Sequence, residues 1–318
     1  MKNYRYILVT GGAGFVGSSL VEWLIKDANN FVVVVDNLIT GDRNKLPESP
    51  HKNLKFIQCD VNKLDEIRSV FHTFSFDYVF HYAALVGVQR TLDNPIEVLK
   101  DINGIENILK LSKNTGVKKV IYSSSSEVYG EPVEYPQNEE TTPLNSRLPY
   151  AIVKNVGEAF LKSYYQSYQL DYLIFRFFNT YGPKQSKDFV ISKFINAALT
   201  NKEITIYGDG KQTRTFCFVE NNVEATIKAV FNEQYNNQTI NIGNDHETPI
   251  LELANTIIKL TNSSSKIVHL PPLEEGDMTR RKPDITKMKQ LLNGKPLITL
   301  EDGINRILKD TSFIINQS

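Results

Sequence analysis

Cysteine is scarce in this 318-residue chain: Cys59 and Cys217 are too few for a disulfide framework or a thiolate zinc site. Net charge is missing as well, because 36 basic residues balance 36 acidic ones. That leaves no electrostatic footprint for nucleic acid or an anionic membrane surface. No apolar run reaches the ~18 residues of a membrane span, and Met1–Thr10 passes directly into a β-like run without a secretory apolar region. Five histidines form no cluster with metal-ligand spacing, and His81 reads as a strand-end structural residue. There is no internal repeat, low-complexity tract or Pro/Gly/Ser linker. What remains is ordinary globular composition, 41% hydrophobic and 23% charged. The expectation is a soluble, reduced, cytoplasmic protein with no metal, nucleic-acid or membrane partner.

Up to Asn179, short β-branched runs alternate with helix-length segments. Strands are predicted over Tyr6–Thr10, Phe31–Asp36, Leu54–Gln58, Tyr78–Ala83, Lys119–Ser123 and Tyr172–Phe178. Their apolar runs are nearly continuous, as strands covered on both faces require. Helical patterns at Val16–Lys26, Pro95–Thr115 and Pro149–Tyr168 lie between them. This alternation predicts an α/β fold with a doubly wound parallel (Rossmann) sheet. Beyond Asn179, helices are predicted over Phe189–Thr200, Asn222–Phe231, Ile250–Thr261 and Leu300–Asp310, with strands near Ile204–Tyr207 and Thr239–Ile242. Residues 271–277 read as an irregular loop. The expected division is a dinucleotide domain over 1–178, rejoined by about 208–245, and a smaller mixed α/β substrate lobe over 179–207 and 246–318.

Gly11, Gly14 and Gly17 follow the first strand and lead into a helix that opens with Phe15 and Val16. Glycines at this spacing permit a tight turn and a close approach of backbone amides to a pyrophosphate, and the helix N-terminus adds positive potential. Asp36 and Asn37 follow the second strand. A carboxylate there accepts from ribose hydroxyls and repels a 2′-phosphate, so NAD is expected rather than NADP. Asp60 and Val61 after the third strand are candidates for the adenine, although Asp60 reads equally as a helix cap.

Tyr150 and Lys154 lie four residues apart on a predicted helix and therefore share a face. An ammonium beside a phenol favours the phenolate, as does the positive ring of bound NAD. Bringing a phenol from ~10 to near neutrality takes about 4 kcal/mol of differential stabilisation. The run Ser123-Ser124-Ser125-Ser126-Glu127 closes the fifth strand, and strand carboxyl ends are where doubly wound sheets build sites. A serine hydroxyl there can share a proton between a substrate hydroxyl and Tyr150.

Together these residues resemble the extended short-chain dehydrogenase/reductase family that modifies nucleotide sugars. Members include UDP-galactose 4-epimerase, UDP-glucuronate decarboxylase and dTDP-glucose 4,6-dehydratase. The likeness continues through His81-Tyr82-Ala83-Ala84, Arg176-Phe177-Phe178-Asn179-Thr180-Tyr181-Gly182-Pro183, Tyr207-Gly208-Asp209-Gly210-Lys211-Gln212-Thr213-Arg214 and Arg280-Arg281-Lys282-Pro283-Asp284-Ile285. The resemblance implies Ser125 as the catalytic hydroxyl, Tyr150 as base and Lys154 as its partner, with Lys154 also near the nicotinamide ribose. It gives Tyr82, Ala83, Ala84, Ser123 and Phe177 to the cofactor, and Asn179, Arg214 and one of Arg280 or Arg281 to the substrate diphosphate. Phe189, Val190 and Tyr207 fall to the nucleotide base, and Ser126 to the sugar.

The implied first step is oxidation of the sugar at C4. Re-reduction by a 4-epimerase is the leading expectation. Decarboxylation, release of the 4-keto sugar and 4,6-dehydration are the alternatives, and a non-catalytic NAD-binding protein is a remote one. Glu127 departs from the galactose epimerase pattern and matches dehydratases and decarboxylases. Ser126 replaces the aspartate expected of a dehydratase, and Ser125 the threonine of decarboxylases. Val86 stands where the epimerase pattern has a lysine. A homodimer through helices 95–115 and 149–168 is also expected, from apolar residues such as Ile105, Ile108, Leu109, Phe160, Leu161 and Tyr164.

Overall fold

The computed structural model describes residues 4–48, 51–272 and 280–310. The chain first forms β1 (Arg5–Thr10), α1 (Phe15–Leu24), β2 (Asn30–Asp36), β3 (Leu54–Gln58), α2 (Leu64–Thr73) and β4 (Tyr78–His81). Then follow α3 (Val88–Asp93), α4 (Pro95–Thr115), β5 (Lys119–Ser125), α5 (Pro149–Tyr168) and β6 (Asp171–Phe177). Next come β7 (Thr180–Tyr181), α6 (Val190–Leu199), β8 (Ile204–Tyr207), β9 (Thr213–Thr215), β10 (Cys217–Phe218), α7 (Val219–Val230) and β11 (Gln238–Ile242). The last elements are β12 (Glu247–Pro249), α8 (Ile250–Thr261), β13 (Ile267–Leu270), α9 (Thr286–Leu291) and α10 (Leu300–Lys309).

The chain groups into two compact units. One takes the residues up to Val128, Ser146–Arg176 and Val223–Ile240; the other takes Tyr129–Asn145, Phe177–Asn222 and the residues from Asn241 on. The central sheet is seven-stranded and parallel, in the order β11-β6-β5-β4-β1-β2-β3. β1 thus has β2 on one side and β4 on the other, with Thr10 level with both Val35 and His81. That is the switch point at which open α/β sheets bind ligands. Ile7, Leu8, Val9 and Val32 to Val35 are fully buried, which explains why these strands read as unbroken apolar runs.

β4 stops at His81, two residues before the predicted end. The Tyr82 N–H still donates to the Thr10 carbonyl (3.1 Å), but the next donor, Ala83 N–H, goes to the Thr10 hydroxyl (3.2 Å) and the ladder ends. In the second unit, β8 pairs parallel with β13 and β9 antiparallel with β12. Part of the predicted loop over 271–277, residues 273–277, lies outside the described residues. Among the described residues, no helix is long and apolar enough to cross a membrane, and no group of His, Cys, Asp or Glu could hold a metal ion.

α5 is fastened to the sheet by a buried network. The Ser124 hydroxyl donates to Glu158 Oε1 at 2.6 Å, while Arg176 donates from Nε at 2.9 Å and from Nη2 to Oε2 at 2.7 Å. Glu158 and Arg176 are almost entirely buried, so each charge relies on the other for its lost hydration. Glu158→Gln leaves the guanidinium uncompensated and should destabilise the fold by about 3–5 kcal/mol. Urea denaturation measures this, and a loss below ~1 kcal/mol would show that the pair is not what fastens α5.

Candidate active site

Between β1 and α1 the chain turns through Gly11, whose φ is +67°, a conformation that favours glycine. A Cβ on Gly11 would stand 2.6 Å from the Ala83 backbone nitrogen, and one on Gly17 would collide with the Gly11 carbonyl. Both glycines let backbone pass against backbone. α1 then begins after extended Gly14 with no side-chain cap and no acidic residue in its first turn, so the amides around Phe15 and Val16 face an anion-binding position. Asp36, at the end of β2, accepts from Ala13 N–H (3.0 Å) and Leu38 N–H (2.9 Å), which ties it to the glycine turn. Burial raises its pKa, and those two donors oppose the rise. Asn37 accepts from Ile39 N–H. Asp60 caps its own turn by accepting from Asn62 N–H at 3.0 Å, and Val61 is buried in the core. A cradle that any Cβ would fill, an uncapped helix start and a carboxylate at the next strand end fit a dinucleotide.

The residues expected to react gather at the end of β5. Ser125 Oγ accepts from Glu127 N–H at 3.2 Å and is hydrogen-bonded to Tyr150. Ser126 is buried and opens the 3-10 turn Ser126–Tyr129, in which Glu127 is the second residue. Tyr150 is the second residue of α5 and is half-buried. Burial raises its pKa, the Ser125 contact lowers it, and the charges of Glu127 and Asp101 raise it further. Lys154, one turn along, is only 3% exposed; its Nζ donates to the Ser123 carbonyl at 2.6 Å and stands 5.7 Å from the Tyr150 ring centre. Burial brings its pKa down to about 8 against the pull of Asp101. Next to this group, His81 Nδ1 lies 2.8 Å from the Thr10 hydroxyl, and burial lowers its pKa to about 3, so it is neutral.

Asp101 was not anticipated. It takes Leu85 N–H at 2.8 Å and the Asn62 amide at 3.3 Å, and its pKa is raised by burial. The signal was a carboxylate on the same α4 stripe as Val98, Ile105 and Ile108.

The proposed diphosphate and base residues all lie in the second unit. Asn179, at φ +33°, donates from its amide to the Thr215 carbonyl at 3.2 Å. Arg214, in β9, donates to the Thr213 carbonyl at 2.8 Å. Val190 opens α6, Tyr207 ends β8 with the Lys193 ammonium 5.9 Å from its ring centre, and Phe177 ends β6 half-buried. The two arginine candidates are now distinct. Arg280 is stacked 4.4 Å over Tyr135 and gives two hydrogen bonds, of 2.6 and 2.7 Å, to Glu247, whose pKa falls to about 2. Arg281 is 3% exposed. As for the expected subunit contact, Ile105, Ile108, Leu109 and Leu161 turn into the core of the first unit, whereas Ile96, Leu99 and Ile152 are exposed on α4 and α5.

A family model described as the NAD dependent epimerase/dehydratase family matches residues 7–243. The chain belongs to this family. The epimerase/dehydratase fold covers nearly the whole chain: UDP-glucose 4-epimerase from Thermotoga maritima aligns over 98% of this chain and 100% of its own, with a TM-score of 0.90 and 32% identity. A UDP-N-acetyl-alpha-D-glucosaminuronate decarboxylase from Bacillus cytotoxicus is 39% identical over 95% of this chain and 96% of its own length. UDP-glucuronic acid decarboxylase 4 of Arabidopsis thaliana is 36% identical over 96% of this chain and 68% of its own. As in the rest of the family, NAD is the cofactor.

Two outcomes follow from the site. Gly17→Ala pushes a methyl into the Gly11 carbonyl and should weaken NAD binding at least ~10-fold by titration calorimetry, since the amides can no longer close on the pyrophosphate. The second concerns Lys154, which titrates at about 8 when folded against an ordinary 10.5. Between these values the unfolded chain holds the extra proton, so stability rises with pH there. Lys154→Met should therefore melt higher than the unsubstituted protein at pH 7, and the gap should close as pH rises from 8 towards 10.5. A gap that is constant or grows with pH would contradict the burial of a charged lysine.

Proposed function

We propose that the chain decarboxylates a UDP-linked hexuronate, such as UDP-glucuronate or its 2-acetamido analogue, after oxidising the sugar at C4. The observation that carries this reading is Glu127, a carboxyl group on the turn that follows Ser125, acting on the Tyr150 hydroxyl. Both decarboxylases compared above support the same choice.

Tyr150 takes the C4 hydroxyl proton through Ser125, its phenolate favoured by the Lys154 ammonium and the positive ring of bound NAD against the burial that raises its pKa. Bound NAD supplies the hydride acceptor for C4 and the hydride donor for its later reduction. With a ketone at C4, the C6 carboxylate belongs to a β-keto acid. The C5–C6 bonding pair moves onto the C4 oxygen, carbon dioxide leaves, and C5 must then be reprotonated. In this reading a protonated Glu127 delivers that proton to C5 and regains one from solvent, while the electron pair left behind by carbon dioxide rests on the C4 oxygen until C5 is protonated. Tyr150 finally returns its proton to the C4 oxygen. Re-reduction without loss of carbon, the outcome placed first by sequence, has no need of an acid beside the base.

Wild-type protein given UDP-glucuronate labelled at C6 should release labelled carbon dioxide. Glu127→Gln should lower that release roughly 100-fold while C4 oxidation persists, within the usual range for a general acid. An unlabelled headspace with an isobaric sugar product would make the chain an epimerase. We also infer a homodimer through α4 and α5, supported by the exposed Ile96, Leu99 and Ile152. Light scattering should give twice the 36.2 kDa chain mass, and Ile96→Glu with Leu99→Glu should halve it.

A further inference from the structure

The Lys154 ammonium meets Tyr122 as well as Tyr150: its Nζ stands over the Tyr122 ring, 5.0 Å from the centre. Tyr122 lies on β5 and is 1% exposed. One neighbour of its ring is His81, nearly parallel at 6.0 Å and 22°. Its hydroxyl has no hydrogen-bond partner among the described residues, and this end of the ring is wedged against α5 where a Cβ on Gly157 would collide with it. A leucine at 122 would remove both features. An orphaned buried hydroxyl and a glycine inside a helix each lower stability, so stability does not account for this tyrosine. What the ring offers is its face, whose negative quadrupole attracts a cation.

We propose that Tyr122 is a positioning residue whose ring face holds the Lys154 ammonium charged and aimed at Tyr150. The proposal rests on the reading of Lys154 and Tyr150 as the pair that handles the C4 proton. The groups around Lys154 make the role specific. From α5 come Tyr150 and Glu158, the latter neutralised by Arg176. From α4 comes the Asp101 carboxylate, which favours the ammonium, and from β4 the neutral His81. From β5 come the Ser123 carbonyl and Tyr122 itself. A carboxylate in direct contact would cancel the field that Lys154 exerts on Tyr150. A ring face stabilises the ammonium while leaving its unit charge uncompensated, so the field reaches the phenol.

The test is a pH titration of the holoenzyme carrying 13Cε-labelled lysine, followed by NMR, with the Lys154 resonance assigned by its loss in K154M. Tyr122→Leu should lower the Lys154 midpoint by about one pH unit, as expected for a desolvated cation–π contact. Tyr122→Phe keeps the face and should leave the midpoint in place without lowering the melting temperature. Where Tyr122→Leu fails to fold, Tyr122→Met fills the slot and should shift the midpoint in the same direction. An unchanged midpoint in Tyr122→Leu or Tyr122→Met would overturn the proposal, as would an equal shift in Tyr122→Phe, which would assign the effect to the hydroxyl. The resonance is read without turnover, so failure of wild-type protein to act on a UDP-hexuronate would be a separate result.

Discussion

A single lysine ammonium, buried at the start of α5 between β5 and α4, is the constraint on which the site depends. In the proposed mechanism Lys154 must be charged to make Tyr150 a base, yet burial works against that charge and brings its pKa down to about 8. The surroundings answer this conflict piece by piece. The Ser123 carbonyl accepts a hydrogen bond from it, the Tyr122 and Tyr150 rings lie within cation–π reach, and Asp101 contributes charge through the α4 side. None of these groups neutralises the ammonium by direct ion pairing, so its field stays available to the phenol.

The scaffold holds this arrangement through interactions that catalysis does not consume. Glu158, one turn beyond Lys154, locks α5 to Ser124 and Arg176 on the two neighbouring strands. The ends of β4 and β1 are locked by Thr10, which receives the Ala83 N–H and contacts neutral His81. Glycines then let the backbone close at two places, Gly11 against Ala83 for the dinucleotide turn and Gly157 against Tyr122 for the packing of α5. Side chains at strand ends, rather than long loops, therefore set the catalytic distances, which suits a reaction needing alignment of hydroxyl, phenol and hydride acceptor.

Most of the first unit was legible because its strands are buried on both faces and read as apolar runs, while the glycine turn and the Tyr150/Lys154 pair are local patterns. α2 was missed because its stripe is only Ile67, Val70 and Phe71, spaced among charged and polar residues. β13 was missed because Ile267–Leu270 is half-buried and matches no alternation strong enough to stand out; it forms through pairing with distant β8. Asp101 and Tyr122 escaped notice as functional groups because their meaning depends on contacts between elements far apart in sequence. The exposed apolar residues of α4 and α5 were misplaced for a related reason: the periodicity identified two apolar faces without showing which one the sheet covers.

The reading that a carboxyl group beside the base turns C4 oxidation into loss of carbon is tested most directly by the origin of the hydrogen at C5. Turnover of UDP-glucuronate in deuterium oxide, followed by NMR of the isolated nucleotide sugar, should give a pentose with one deuterium at C5, delivered through a solvent-exchanged acid. A six-carbon product that keeps its carboxylate, with C5 undeuterated and C4 inverted, would contradict the account and return the chain to simple epimerisation.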